Sequence, residues 1–160
     1  AGCEAAHAAA KLGSKVLMIT QNLETIARMS CNPAMGGVAK GQILREIDAL
    51  GGMSAIVTDE SMIQFRMLNS SRGAAVRGPR AQTDRIIYKN AIGKLLEKQK
   101  NLHIIEGSVE DLIVSKNQVI GVVLGNNNKI SAKSVAVGKP LFNEESIELE
   151  MVLVISMFKK

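Results

Sequence analysis

Cys31 stands in the run Met29-Ser30-Cys31-Asn32-Pro33-Ala34-Met35-Gly36-Gly37-Val38-Ala39-Lys40-Gly41. A thiol in a polar, glycine-rich loop, close to a helix start and to Lys40, ionises more readily than an ordinary cysteine, and a thiolate adds to electrophilic ring carbons. The competing reading of Cys31 is a small buried residue. Lys40 beside the start of the next helix suits an anion, and a plain glycine-rich connection accounts for the same residues. The run is not a nucleoside triphosphate loop, because Gln42 and Ile43 stand where that loop needs Lys and then Ser or Thr.

A second set of residues suits a nucleotide. Gly2 opens an Ala-rich helix that leads into an apolar strand, the place of the third glycine in a dinucleotide-binding G-x-G-x-x-G, where the absent Cβ lets helix and strand pack closely. A helix-initiating glycine explains it equally well, and the earlier glycines and the strand before them are not in the sequence. That fingerprint asks for an acidic residue at the end of the following strand. The chain offers Thr20-Gln21-Asn22, of which Thr20 and Asn22 can still hydrogen-bond a nucleotide.

The densest basic stretch holds Arg66, Arg72, Arg77, Arg80, Arg85 and Lys89, opposed only by Asp84. Its partner is an RNA backbone or a pyrophosphate, or it is a solvated face. Cys3 and His7 share a helix face but have no second pair of ligands, so no metal site is expected. His103, inside an apolar strand, reads as a core or edge residue.

These residues need elements to position them. Cys3 to Leu12 reads as a short helix closed by Gly13, and Val16-Leu17-Met18-Ile19 as a buried parallel strand, together half of a βαβ unit. Asn22 caps a short helix through Arg28. Ile43, Leu44, Ile47 and Leu50 recur at helical spacing up to Gly51-Gly52. Ile63 to Leu68 alternates as a strand, Asn69 to Gly78 is turn chemistry, and a helix from Thr83 carries the stripe Ile87, Tyr88, Ala91, Ile92 and Leu95. Short strands near Leu102–Ile105, Val109–Val114, Gln118–Leu124 and Ile130–Val137, separated by Asn-rich turns, read as an antiparallel meander on a parallel sheet. The segment Leu141 to Lys160 places four Glu before Met-Val-Leu-Val-Ile-Ser-Met-Phe, an added strand or an adhesive tail.

At 160 residues, with 46% hydrophobic and 22% charged residues, the chain has the composition of one folded domain or part of one. Aromatics are 2%, so base stacking on aromatic platforms is not a main mode of nucleic-acid binding. The net charge of +5 favours anionic partners. No apolar run approaches a membrane span and no signal peptide is visible, and two cysteines form no disulfide framework, so a cytoplasmic location is expected.

Taken in order, Ala1-Gly2-Cys3-Glu4-Ala5-Ala6, Met29 to Ala34 with Gly36-Gly37 and Lys40-Gly41, Asp48 to Gly52, Gln64-Phe65-Arg66, Leu68-Asn69 and Arg80-Ala81-Gln82 with Asp84 resemble the front part of the glucose-inhibited division protein A family. The resemblance implies an FAD-dependent enzyme that adds a carboxymethylaminomethyl group at C5 of the wobble uridine of tRNA. NADH and methylenetetrahydrofolate are its implied co-substrates, a tRNA-modification GTPase its partner, and a homodimer its assembly. It further implies Ala1 and Gly2 in the flavin loop, the Val109 backbone at the adenine, and Cys31 in chemistry at the uracil ring. Lys40, Arg66, Arg72, Arg77 and Arg80 are then the residues for RNA phosphates.

The expected fold is α/β, a partial Rossmann-like FAD-binding domain over residues 1–137 with an antiparallel β-meander and the first strand missing. Residues 138–160 form a divergent tail in which Val137-Gly138-Lys139-Pro140-Leu141-Phe142 replaces the family's Thr-Gly-Thr-Phe type segment, and Ala74 stands where the family has Pro. A truncation or frame disruption is one reading of that tail. Loss of a central strand should expose the flanks of its neighbours, and the isolated chain is expected to be inactive. The alternatives from other classes are an FAD-dependent small-molecule oxidoreductase and a non-catalytic RNA- or partner-binding fragment.

Overall fold

The computed structural model describes residues 1–29, 32–138 and 151–156. In chain order the elements are α1 (Gly2–Lys11), β1 (Lys15–Thr20), β2 (Ala34–Gly36), α2 (Lys40–Ala49), α3 (Ser54–Ser61), β3 (Met62–Leu68), β4 (Gly78–Thr83), α4 (Arg85–Lys98), β5 (Leu102–Glu106), β6 (Val109–Ser115), β7 (Gln118–Leu124), β8 (Lys129–Ser131), β9 (Ser134–Gly138) and β10 (Met151–Ser156). They divide into two compact units, Ala1–Ile26 with Lys98–Lys160, and Ala27–Glu97. Among the described residues no helix is long and apolar enough to cross a membrane.

The first unit is built on a sheet of order β5-β1-β10-β9. β1 and β5 are parallel, Val16 opposite Leu102 through Thr20 opposite Glu106. β10 runs antiparallel to β1 on its other side and antiparallel to β9 beyond. Side chains alternate across β1. Ile19 packs with Val109, Val122 and Leu124, with Leu17 beside them. Val16 and Met18 point to the opposite face and are buried, as are Ala6 and Ala10 of α1, which packs on β1. Alanines at those helix positions permit the close approach that two fully buried strand side chains require.

The meander β6-β7-β8 forms its own three-stranded antiparallel sheet. The four-strand reading of residues 102–137 is therefore divided. The first segment joins β1 in the parallel sheet, and the last breaks at residues 132–133 into β8 and β9, which belong to different sheets. The turn after Asn22 is also shorter than expected, a single 3-10 turn over Leu23–Thr25, followed by Ala27 at φ 60°.

The expectation of exposed flanks is corrected for β1. Among the described residues no strand precedes α1, yet the edge of β1 facing away from β5 is paired over its whole length by β10. The added-strand reading of the tail holds for Met151–Ser156.

In the second unit β4 is the middle of the antiparallel sheet β2-β4-β3. α2 packs on β2 and β4, and α3 on α2 and β4. The sequence reading missed α3, whose polar Ser54, Thr58 and Ser61 are buried, because Thr58 and Ser61 return their hydroxyls to the carbonyls of Ser54 and Val57 at 2.6 and 2.7 Å. It also missed β4, because Gly78-Pro79 reads as a turn. In α4, Asp84 caps the helix by accepting from Ile86 N and Ile87 N, and Leu96 is buried while Ile87 is 50% exposed, so the apolar stripe is rotated from the expected one.

Three glycines let the backbone of this unit close. Gly36 has φ 96° and a Cβ there would run into the Pro79 carbonyl, while Cβ atoms at Gly41 and Gly78 would press on Pro79 and Gly37. Gly36→Ala combines that collision with a left-handed backbone, and is expected to cost more than about 2 kcal/mol, read as a lower urea midpoint.

Candidate functional site

The carboxyl ends of β1 and β5 share one edge of the first unit. Thr20 lies opposite Glu106 across the pair, and Gly107 N–H donates to Thr20 O at 2.8 Å. α1 ends just before β1 begins and packs back along it, so its amino end, Ala1 and Gly2, is directed to that same edge. Ala1 offers no side-chain cap to the helix. The positive end of a ten-residue helix therefore faces the carboxyl edge of a parallel sheet, where doubly wound folds bind phosphate.

Thr20 is buried, and its hydroxyl lies 3.4 Å from Asn22 O. Asn22 spends its side-chain oxygen as a cap, accepting from Glu24 N at 2.8 Å, and its carbonyl accepts from the Thr25 hydroxyl at 2.8 Å. What Asn22 has left to offer a nucleotide is its amide nitrogen. Val109 is a core residue whose side chain packs with Ile19, Val122 and Leu124, so its main chain is the part available to a ligand.

Glu106 is the residue that sequence reasoning missed. The dinucleotide fingerprint looks for a carboxylate at the end of β1; here it comes from the end of the neighbouring strand. Glu106 Oε2 accepts from Leu23 N–H at 3.1 Å and so ties the Asn22 turn to β5, leaving its other oxygen for a hydroxyl. The signal was present as an acidic residue ending an apolar strand, but pairing β5 with β1 requires the fold. A helix amino end, a carboxylate, a side-chain amide and a hydroxyl gathered at one edge are the groups that the pyrophosphate and ribose of a dinucleotide call for.

Cys31 lies outside the described residues. Its surroundings in sequence are fixed by Thr83, the last residue of β4, which is 1% exposed. Thr83 N–H donates to Pro33 O at 2.7 Å, and its hydroxyl lies 3.1 Å from Pro33 O and 3.4 Å from Met29 Sδ. One buried residue thus holds both sides of the Ser30-Cys31 pair.

Lys40 opens α2 and its Nζ donates to Ala34 O at 3.2 Å. The first-turn amides of Lys40, Gly41 and Gln42 already donate to Val38, Gly37 and Ala39 carbonyls. Backbone amides of this turn are consumed by the loop itself, so an anion here would meet the Lys40 side chain rather than a phosphate cradle.

The arginines form two pairs. Arg66 and Arg80 face each other across β3 and β4, with Gln64 opposite Gln82 one step along. These four side chains are exposed on one sheet face and, with Leu68, line a groove of about 250 Å³. Like charges directly opposite in a sheet are destabilising. Among the described residues no carboxylate offsets this pair. Arg72 and Arg77 belong to the 69–77 loop, where Arg77 Nε donates to Arg72 O at 3.0 Å and Asn69 Nδ2 to Val76 O at 3.0 Å. The four are not one cluster: one pair is on the sheet and the other shapes its loop.

The sequence profile of the family described as Glucose inhibited division protein A matches residues 1–148. Among solved structures, Aquifex aeolicus GidA in its form II crystal is 48% identical with a TM-score of 0.79, the alignment covering 82% of this chain and 22% of that one. The form I crystal of the same protein gives 48% identity and a TM-score of 0.78, with the same coverage. PqsL of P. aeruginosa, in a mutant form, is similar at 14% identity and a TM-score of 0.56, covering 81% of this chain and 37% of that one, a likeness of fold alone. The chain spans only 22% of the length of the GidA structures that it matches.

Proposed function

Because the chain belongs to the family described as Glucose inhibited division protein A, we propose that it supplies the adenosine side of the flavin site, and the reactive-cysteine loop, of an FAD-dependent enzyme that modifies the wobble uridine of tRNA. The observation that carries this reading is the family match over residues 1–148. The edge gathered from Ala1, Gly2, Thr20, Asn22 and Glu106 supports it. The product is a uridine bearing a carboxymethylaminomethyl group at C5, with NADH and methylenetetrahydrofolate as co-substrates. A tRNA-modification GTPase is the working partner, a homodimer the assembly and the cytoplasm the location.

Bound flavin, reduced by NADH, would supply the redox chemistry that accompanies transfer of the one-carbon unit from methylenetetrahydrofolate, and glycine would supply the amino and carboxymethyl part of the product. The chain's own residues bind and orient. The amino end of α1 balances pyrophosphate charge, Glu106 and the Asn22 amide hold ribose hydroxyls, and the Val109 main chain receives the adenine edge. Cys31 adds as a thiolate to the uracil ring, which leaves C5 electron-rich and able to take the new carbon; loss of the C5 proton to a base then expels the thiolate and restores the ring. Arg66 and Arg80 hold RNA phosphates, and with few aromatics in the chain the contact is electrostatic. Lys40 at the start of α2, and Arg72 and Arg77 in the 69–77 loop, are separate basic positions for further RNA phosphates.

Titration of FAD into the chain, followed by flavin fluorescence, tests the reading. Saturable binding is expected, weakened by roughly ten- to 150-fold in Glu106→Ala, the ~1.5–3 kcal/mol of one hydrogen bond to a charged group. Absence of binding by a chain with folded circular dichroism would count against it. No specific observation favours a small-molecule oxidoreductase.

A further inference from the structure

On the helix-covered face of the second unit's sheet, Met35, Ala81 and Phe65 form one row across β2, β4 and β3, because Met35 and Phe65 both stand opposite Ala81. The middle residue of the row is the smallest, and Gly41 of α2 and Ala55 of α3 add little bulk above it. The result is an open cavity of about 140 Å³, closed on its helix side by Leu44 of α2. Alternation along the strands puts this cavity on the opposite side of the sheet from Arg66 and Arg80. Phe65, which forms one wall, is 53% exposed, and Met67 continues the same face of β3 at 40% exposed.

The size of the cavity sorts its ligands. A space of about 150 Å³ holds one benzene ring, and small-molecule sites begin at about 300 Å³. This one takes a single ring or branched side chain and excludes a nucleotide. A recess for one side chain beside a half-exposed aromatic has the form of an anchor pocket at a protein interface. Charge then selects the partner. Between Gly41 and Met62 the two helices carry Glu46, Asp48, Asp59 and Glu60 against Arg45 alone, in a chain whose net charge is +5. Asp48 and Asp59 line the cavity together with Arg45. Among the described residues neither carboxylate has a hydrogen-bonding or ionic partner. This face repels an RNA backbone and attracts a segment bearing Lys or Arg.

We propose that the cavity is a docking site for a protein segment that inserts one large apolar side chain, Phe or Leu, flanked by basic residues. The anchor fills the space over Ala81 between Met35 and Phe65, and its basic neighbours pair with Asp48 and Asp59 at the mouth. A protein bound here leaves the arginine face of the sheet clear. The inference goes beyond the flavin and RNA reading and does not rest on it, because none of the residues that wall or charge the cavity is assigned to FAD, uridine or RNA.

The test follows amide shifts of the whole 160-residue chain by NMR with three synthetic peptides. These are Gly-Lys-Lys-Phe-Lys-Lys-Gly, the same peptide with Ala for Phe, and the same peptide with Glu for every Lys. The first is expected to bind saturably and to shift amides at residues 35–36, 41–48, 55–59, 65 and 81. Loss of the ring is expected to weaken binding by about 30-fold or more. Exchange of Lys for Glu is expected to weaken it by about tenfold at low salt, a difference that closes as salt rises. Ala55→Met, which fills the recess, is expected to abolish the shifts with circular dichroism unchanged. Asp48→Lys with Asp59→Lys, at two exposed positions, is expected to make the Glu peptide the better ligand; should Ala55→Met fail to fold, this variant decides. A folded chain whose cavity amides no peptide moves overturns the proposal. So does equal affinity for the Phe and Ala peptides, or a charge preference that the double reversal leaves in place. Self-association of the chain through this face also overturns it, as does a full-length family member that carries the segment and does not bind the first peptide, since the recess is then covered from within.

Discussion

Cys31→Ser, placed in a family protein that carries this segment, is expected to lower uridine modification by about 10³-fold or more while FAD affinity stays within twofold. The asymmetry follows from where the residue sits. Cys31 belongs to the unit of Ala27–Glu97, whereas the residues assigned to FAD belong to the other unit. A serine hydroxyl preserves size but has almost no anionic form at neutral pH, so a step that needs an anionic nucleophile loses nearly all of its rate. Thr83 holds Pro33 and Met29, the described residues on either side of Ser30-Cys31. Mass analysis of nucleosides from the treated tRNA reads the result. Retention of modification within tenfold would mean that Cys31 is structural.

The second large effect concerns charge. Arg66→Glu with Arg80→Glu is expected to weaken tRNA binding by about 100-fold at low salt and to flatten the plot of log affinity against log salt by about two, one for each phosphate that is no longer neutralised. Both residues lie on the exposed face of β3 and β4, so the fold should tolerate the change, and opposite carboxylates repeat the repulsion that opposite guanidiniums already bear. Arg72→Glu with Arg77→Glu is the comparison. Arg77 Nε bonds within its own loop, so this pair is expected to change the salt slope less. An unchanged slope in the Arg66 and Arg80 variant would return the basic stretch to an ordinary solvated face.

Most elements were legible because their patterns are local. The Ala-rich helix, the apolar run of β1, the helical spacing through Leu44 and Ile47, and the Asn-rich turns of the meander each declare themselves within a few residues. What was hidden depended on partners distant in sequence. Gly78-Pro79 looks like a turn until Gly36 is seen to need the Pro79 carbonyl beside a bare Cα. α3 hides its polar residues by bonding them to its own carbonyls. Glu106 became visible as a site residue only once β5 was paired with β1. The apolar tail was legible as adhesive, but its place in the sheet was not, because a strand's direction and neighbours are set by which edge is open.

The central claim is that the flavin's adenosine side sits on the carboxyl edge of the first unit. Amide hydrogen exchange of the chain with and without FAD tests it most directly. The account expects slowed exchange at residues 2–6, 20–24 and 106–110, with residues 32–97 unchanged. Saturable FAD binding that protects only residues 32–97, or that leaves the edge of β1 and β5 untouched, would contradict it.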